Sequence, residues 1–142
     1  LPIYALDYVF GYTVVNDVSA RDLQFANAKQ WDRGKSLDTF CPWGPWIVTR
    51  DDIKNPHDLT VRTVLNGKEM QISNTRNLIF NIPQIIAYAS QGTTLMPGDL
   101  IPTGTPFGVG FSRTPPVFLK HGDVCECEVQ HIGKIVNKIN LK

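Results

Sequence analysis

Asn66-Gly67 separates two runs rich in β-branched and apolar residues, 59–65 and 68–72, and no other dipeptide narrows the possible folds as much. Asn-Gly accepts positive φ at both centre positions of a type I′ turn, so the flanking runs read as an antiparallel hairpin. The rest of the chain adds further strands with few βαβ units. A Tyr/Val/Phe-rich run at 8–15 reads as a strand in which Gly11 marks a close approach or a bulge. Residues 41–45 are turn-rich, 46–49 form a short strand, and 100–103 form another that runs into a glycine loop. Residues 124–131 and 134–139 make a last hairpin, with Cys125 and Cys127 on one face, Glu126 and Glu128 on the other, and Ile135 opposite Val136.

Two helices interrupt this pattern. Asn81 caps the clearer one, Pro83 sits in its first turn, and Ile82, Ile85, Ile86 and Ala89 share a face before it ends near Gly92. A short one opens at Ala20 behind Ser19 or Asp17 as cap, and residues 25–33 read as loop or frayed helix end. The expected fold is α+β, mostly β, with one clear helix, in a single domain spanning 1–142.

With 142 residues and 42% hydrophobic content, the chain can bury one core. Fourteen Lys and Arg against 13 Asp and Glu, with no basic tract, argue against nucleic acid or an anionic membrane surface as partner. No apolar run approaches the ~20 residues of a membrane span. Three cysteines give no disulfide framework, and Cys125-Glu-Cys127 lacks the second pair that a tetrahedral metal site requires. Buried thiols in a reducing compartment follow, so the expected location is cytoplasmic, or mitochondrial in a eukaryote. The opening Leu1-Pro2-Ile3 lacks Met and reads as cut, so an N-terminal part of the domain is expected to be missing.

The corner after the first strand gathers chemistry. Asp17, Arg21 and Gln24 fall at i, i+4 and i+7, one helical face if the turn starts early, and Lys35 follows. On spacing alone this is a solvated face, and Lys35 alone is a flexible surface lysine. The motifs say more. Asn16-Asp-Val-Ser-Ala-Arg-Asp-Leu-Gln24, then Gly34-Lys-Ser36 with Asp38-Thr-Phe-Cys-Pro-Trp-Gly-Pro45, then Thr103-Gly-Thr-Pro-Phe-Gly-Val-Gly110, together resemble the fumarylacetoacetate hydrolase family in order and spacing. The resemblance runs from about Ala5 to Ile139. Pro115-Pro-Val-Phe-Leu-Lys120 and Gly122-Asp123 resemble the oxaloacetate- and 2-oxo-acid-handling branches more than the hydrolase itself.

The resemblance implies a roll of packed mixed β-sheets, found as a homodimer, and a divalent metal, Mg²⁺ or Mn²⁺. It implies Asp17 as one metal ligand, beside a Glu-x-Glu pair that this family carries upstream. Glu126-Cys-Glu128 has those letters, but reads as the wet face of the last hairpin. Arg21, Gln24, Lys35 and Thr105 match substrate-side positions. Lys35 is the expected catalytic group, an ammonium that stabilises an enolate oxygen. Arg21 forks a carboxylate or locks an acid, Gln24 donates to a keto oxygen, and Thr105 with nearby backbone N–H groups holds a carboxylate.

The implied function is a metal-dependent enzyme on small 2-oxo dicarbonyl acids working through an enolate. Oxaloacetate decarboxylation, its tautomerisation and acylpyruvate hydrolysis share that intermediate. A family isomerase or lyase of aromatic catabolism, or a catalytically silent homologue, are the alternatives. The 103–110 loop has neither the P-loop ending nor dinucleotide spacing, and no nucleophile-elbow motif is present. His57, His121 and His131 match no hydrolytic histidine of the family.

Overall fold

The computed structural model describes residues 2–26 and 30–141. Residues 27–29, inside the stretch read as loop, lie outside the described residues. Among the described residues, six strands form two sheets. β1 (Gly11–Val15) pairs with β2 (Trp43–Thr49), while β3 (Thr60–Leu65), β4 (Lys68–Asn74), β5 (Val124–Val129) and β6 (Gly133–Lys138) form a second sheet in the order β4-β3-β5-β6. Where the resemblance implies mixed sheets, these four ladders all run antiparallel.

The predicted hairpins form as expected. Asn66 and Gly67 take φ of 50° and 79° between β3 and β4, the geometry a type I′ turn demands. In β5, Cys125 and Cys127 turn inward at 5% and 8% exposure, and Glu126 pairs with Lys134 at 2.6 Å on the outer side. That placement matches the wet-face reading of Glu126 and Glu128. Ile135 is buried and Val136 exposed. The two sheets close on Val14, Ile53, Leu59, Cys125, Cys127, Ile132 and Ile135, a continuous apolar contact that supplies the main stabilisation of the fold.

Three local expectations are corrected. The first apolar run is not all strand, since Pro2–Tyr8 forms a 3₁₀ helix and pairing begins only at Gly11↔Thr49. Gly11 sits where a Cβ would stand 2.4 Å from the Val48 carbonyl oxygen, and the ladder is bulged between Tyr12 and Val14. β2 is longer than 46–49 because Val14 and Val15 pair with Gly44 and Trp43, drawing the turn-like segment into the ladder. Residues 100–103 join no ladder, and Leu100 and Ile101 remain exposed; a short apolar run without a partner edge does not make a strand.

The longer helix, α2 (Ile82–Ala89), carries the full capping box. Asn81 accepts from the Gln84 N–H at 2.9 Å, and Gln84 accepts from the Asn81 N–H at 2.9 Å. His57 adds a third cap, its Nε2 accepting from the Ile82 N–H at 3.1 Å. The helix stops at Ala89 rather than near Gly92, with Ser90 donating to the Ala87 carbonyl at 3.1 Å.

Asp123 ties the start of β5 to the hairpin turn, accepting from Asn66 Nδ2 at 2.8 Å and from the Lys120 N–H at 2.7 Å. Those two hydrogen bonds, the Asn66 one first, hold its carboxyl below the ordinary 3.8. A depressed carboxylate stabilises the fold fully above 3.8 and loses that contribution as pH falls through the folded value. The urea midpoint should therefore drop as pH falls below 3.8, and Asp123→Asn should shrink that drop. An unchanged acid dependence in the variant would contradict this.

The chain exposes 10178 Å² of accessible surface, where a compact monomer of its mass exposes about 7,400 Å². Tyr8, Ile79, Phe80 and Tyr88 contribute large exposed apolar side chains. Among the described residues no helix is long and apolar enough to cross a membrane.

Candidate active site

β1 delivers its C-terminal end to a polar corner through backbone ties rather than through a long helix. The Asn16 N–H donates to the Pro42 carbonyl at 3.0 Å, and Val18 N–H to the Asn16 carbonyl at 2.9 Å. Behind the corner, Asn16 Nδ2 reaches Cys125 Sγ at 3.6 Å. The Cys125 thiol is lowered to about 7, first by its hydrogen bond with Cys127 and, more weakly, by Asn16, with burial opposing; Cys127 is pushed up by the same pairing.

The helix that was to carry Asp17, Arg21 and Gln24 on one face is only one turn long, α1 (Arg21–Gln24). Its cap is Ala20, which makes no side-chain cap bond and instead donates its N–H to the Gly34 carbonyl at 2.8 Å. Ser19 and Asp17 are therefore not caps. Ser19 Oγ donates to the Asp17 carbonyl at 3.1 Å, and Asp17 lies ahead of the helix, at the centre of the turn closed by the Val18–Asn16 bond. The physical reason is the close approach of 31–34. Gly34 packs so tightly that a Cβ there would stand 2.7 Å from the Ala20 oxygen and 2.7 Å from Gln24 Cβ.

That approach joins the first two motifs. Lys35 Nζ forms an ion pair with Asp17 Oδ2 and donates to Ser19 Oγ at 3.1 Å. Lys35 is less exposed than Asp17, with side-chain exposures of 27% and 45%. Gly34→Ala should cost about 1–3 kcal/mol of stability, because backbone atoms of α1 must give way. A loss in chemical denaturation below about 0.5 kcal/mol would mean the contact yields easily.

Arg21 and Gln24 also meet, but not as parallel substrate contacts. Arg21 Nη1 donates to Gln24 Oε1 at 2.5 Å. Gln24 is 0% exposed, and among the described residues its Nε2 has no hydrogen-bond partner. It stands behind Arg21 rather than beside it. On the other side, the Arg21 guanidinium lies 5.4 Å from the ring centroid of Phe111, which also stacks on Phe25 at 5.4 Å. Phe111 directly follows the 103–110 loop, so this aromatic contact carries the third motif to the corner.

Thr105, on that loop, is tied to β4 rather than to the corner residues. Its Oγ1 accepts from Gln71 Nε2 on β4 at 2.9 Å, and Arg113 Nε donates to the Gly108 carbonyl at 2.9 Å. Phe25, Gln71 and Phe111 had no place as site residues in the sequence reading, and Ser19 entered it only as a helix cap. Ser19 stood within the first motif; the others gave no local signal. Two cavities, of about 300 Å³ beside His121 and about 320 Å³ beside Asp52 and His131, are lined by none of the corner residues.

One carboxylate does not make a divalent metal site, since such ions take several oxygen ligands. Among the described residues no group of three or more His, Cys, Asp or Glu could hold one. Glu126 is committed to Lys134.

Residues 2–140 match the C-terminal domain model of fumarylacetoacetate hydrolase. The chain belongs to the fumarylacetoacetate hydrolase family. Within that family it is 53% identical over 132 residues to a mitochondrial oxaloacetate tautomerase of Rattus norvegicus, covering 93% of this chain and 42% of the relative. The fold superposes with a TM-score of 0.95 on a fumarylacetoacetate hydrolase from Exiguobacterium antarcticum, at 45% identity, covering 100% of this chain and 50% of that one. A maleylpyruvate hydrolase from Sphingobium sp. SYK-6, solved with manganese(II) and pyruvate, superposes with a TM-score of 0.83 at 37% identity over 98% of this chain and 47% of that one. The chain thus spans less than half the length of the curated relative. The mostly β, α+β fold expected from the sequence is the family's fold.

Proposed function

We propose that the chain provides the Asp17–Lys35 corner of an enzyme acting on small 2-oxo dicarbonyl acids, and that its reaction is oxaloacetate tautomerisation. The observation that carries the reading is the convergence of the first two motifs, Lys35 on Asp17 and Gly34 on α1, with Phe111, the residue after the third, lying over Arg21. The name of the rat relative supports the choice among the three chemistries.

Lys35 is the catalytic group of this reading. An ammonium presented by Asp17 and Ser19 meets negative charge developing on an enolate oxygen, and its partners fix its position beforehand. Arg21 has further N–H donors for a substrate carboxylate while Gln24 and Phe111 hold it in place. Thr105 supplies a hydroxyl from the glycine loop. Mg²⁺ or Mn²⁺ belongs to the reading with Asp17 as one ligand; the described residues alone do not complete that site, so the steps above use only side chains of this chain. The manganese in the Sphingobium hydrolase supports a divalent ion. The exposed apolar surface supports a homodimer, and the relative's mitochondrial name favours that compartment over the cytoplasm.

The test is product analysis on the full-length protein with oxaloacetate. Tautomerisation predicts faster loss of the enol absorbance with no pyruvate formed. Pyruvate appearing in step with that loss would make the enzyme a decarboxylase, and no acceleration would remove oxaloacetate as substrate.

A further inference from the structure

We infer that Gln71, on β4, is a positioning residue that sets the direction of the Thr105 hydroxyl. Its side chain faces three oxygens of the glycine loop: Thr105 Oγ1 at 2.9 Å, the Pro106 carbonyl at 2.9 Å and the Phe107 carbonyl at 3.5 Å. Carbonyl oxygens only accept. The atom turned toward them must therefore be the amide nitrogen, which removes the usual ambiguity of a glutamine flip.

That assignment decides the hydroxyl. Thr105 Oγ1 is an acceptor toward Gln71, so its own proton points elsewhere, and among the described residues no acceptor takes it. Thr105 is exposed while Gln71 is half-buried, so the free donor faces solvent from an anchored base. Accepting one hydrogen bond polarises the O–H and strengthens it as a donor. With one lone pair taken by Gln71 and its proton free, the hydroxyl suits a carboxylate or enolate oxygen as partner.

The loop is built close enough to β4 for this to be a fixed geometry. A Cβ at Gly108 would stand 2.6 Å from the Met70 carbonyl oxygen and 3.3 Å from Gln71 Cγ. Arg113 spans the same gap, donating to the Gly108 and Met70 carbonyls. Gln71 thus governs both where the loop lies and which way Thr105 donates.

The inference rests on the proposed binding of an oxo acid at this loop, and its test separates the two. In the full-length protein, Gln71→Leu and Thr105→Val should each raise the KM for oxaloacetate about tenfold, the scale of one hydrogen bond to a charged group, with kcat changed less. The double variant should raise KM by less than the product of the two single effects, because the part of the Gln71 effect that sets the hydroxyl direction is already lost in Thr105→Val. Multiplying effects would overturn the inference, since a purely structural anchor would weaken the loop with valine present as well. Amide hydrogen exchange supplies a substrate-free arm: Gln71→Leu should speed exchange at 103–110 about tenfold and leave β3 and β5 unchanged. If the wild-type protein does not turn over oxaloacetate, the functional reading fails and this arm decides alone; unchanged loop exchange overturns the role of Gln71. Gln71→Met replaces the leucine variant if that one does not fold.

Discussion

Lys35→Ala should lower the turnover number of the full-length protein by about 10²–10³-fold, the scale of removing one preorganised donor from a developing oxyanion. Its effect on divalent-metal affinity should be small and, if anything, favourable. In the structure the ammonium is the direct partner of Asp17, so removing it leaves that carboxylate freer to attract another cation. The two readouts separate the catalytic role from a scaffolding one. Steady-state kinetics and calorimetric titration with Mg²⁺ measure them independently, and equal losses in both would end the assignment of Lys35 to the enolate.

Arg21→Lys should also be damaging, although it keeps the charge. The guanidinium serves two neighbours at once, donating to Gln24 Oε1 at 2.5 Å and lying over the Phe111 ring at 5.4 Å. A lysine ammonium is a point donor on a flexible stem and cannot hold both with a carboxylate as well. Gln24 makes the substitution costly. It is fully buried, its Nε2 has no partner among the described residues, and losing the Oε1 contact frees the other end as well. The expected loss is about 1–3 kcal/mol of stability, with a KM increase of about tenfold or more. Phe111→Leu should cost less, about 0.5–1 kcal/mol, because it removes only the ring face. An Arg21→Lys variant with unaltered stability and KM would show that the Gln24–Arg21–Phe111 stack does not organise the site.

Local signals were legible in the sequence where local chemistry decides structure. Asn66-Gly67 specified its turn, Asn81 and Pro83 specified the start of α2, and alternation along β5 told the buried thiols from Glu126 and Glu128. The family motifs named Asp17 and Lys35, and the fold brings that pair into contact. The failures were equally physical. The spacing of Asp17, Arg21 and Gln24 implied one helical face, but helix spacing says nothing about where a helix can start. Gly34 pressing on Ala20 and Gln24 confines α1 to one turn. Residues 100–103 had strand propensity and no partner. Phe111 was invisible because its contact with Arg21 joins positions far apart in the chain, and a lone aromatic carries no spacing code. Gln71 was hidden in a strand whose pattern was already explained by its hairpin.

The central claim is that this corner makes an enolate from a 2-oxo acid. Proton NMR of oxaloacetate in D₂O with the full-length protein and Mg²⁺ reads that step directly, through loss of the C3 methylene signal. The account predicts exchange well above the buffer rate, falling toward that rate in Lys35→Ala. Exchange at the buffer rate with the wild-type protein would contradict it.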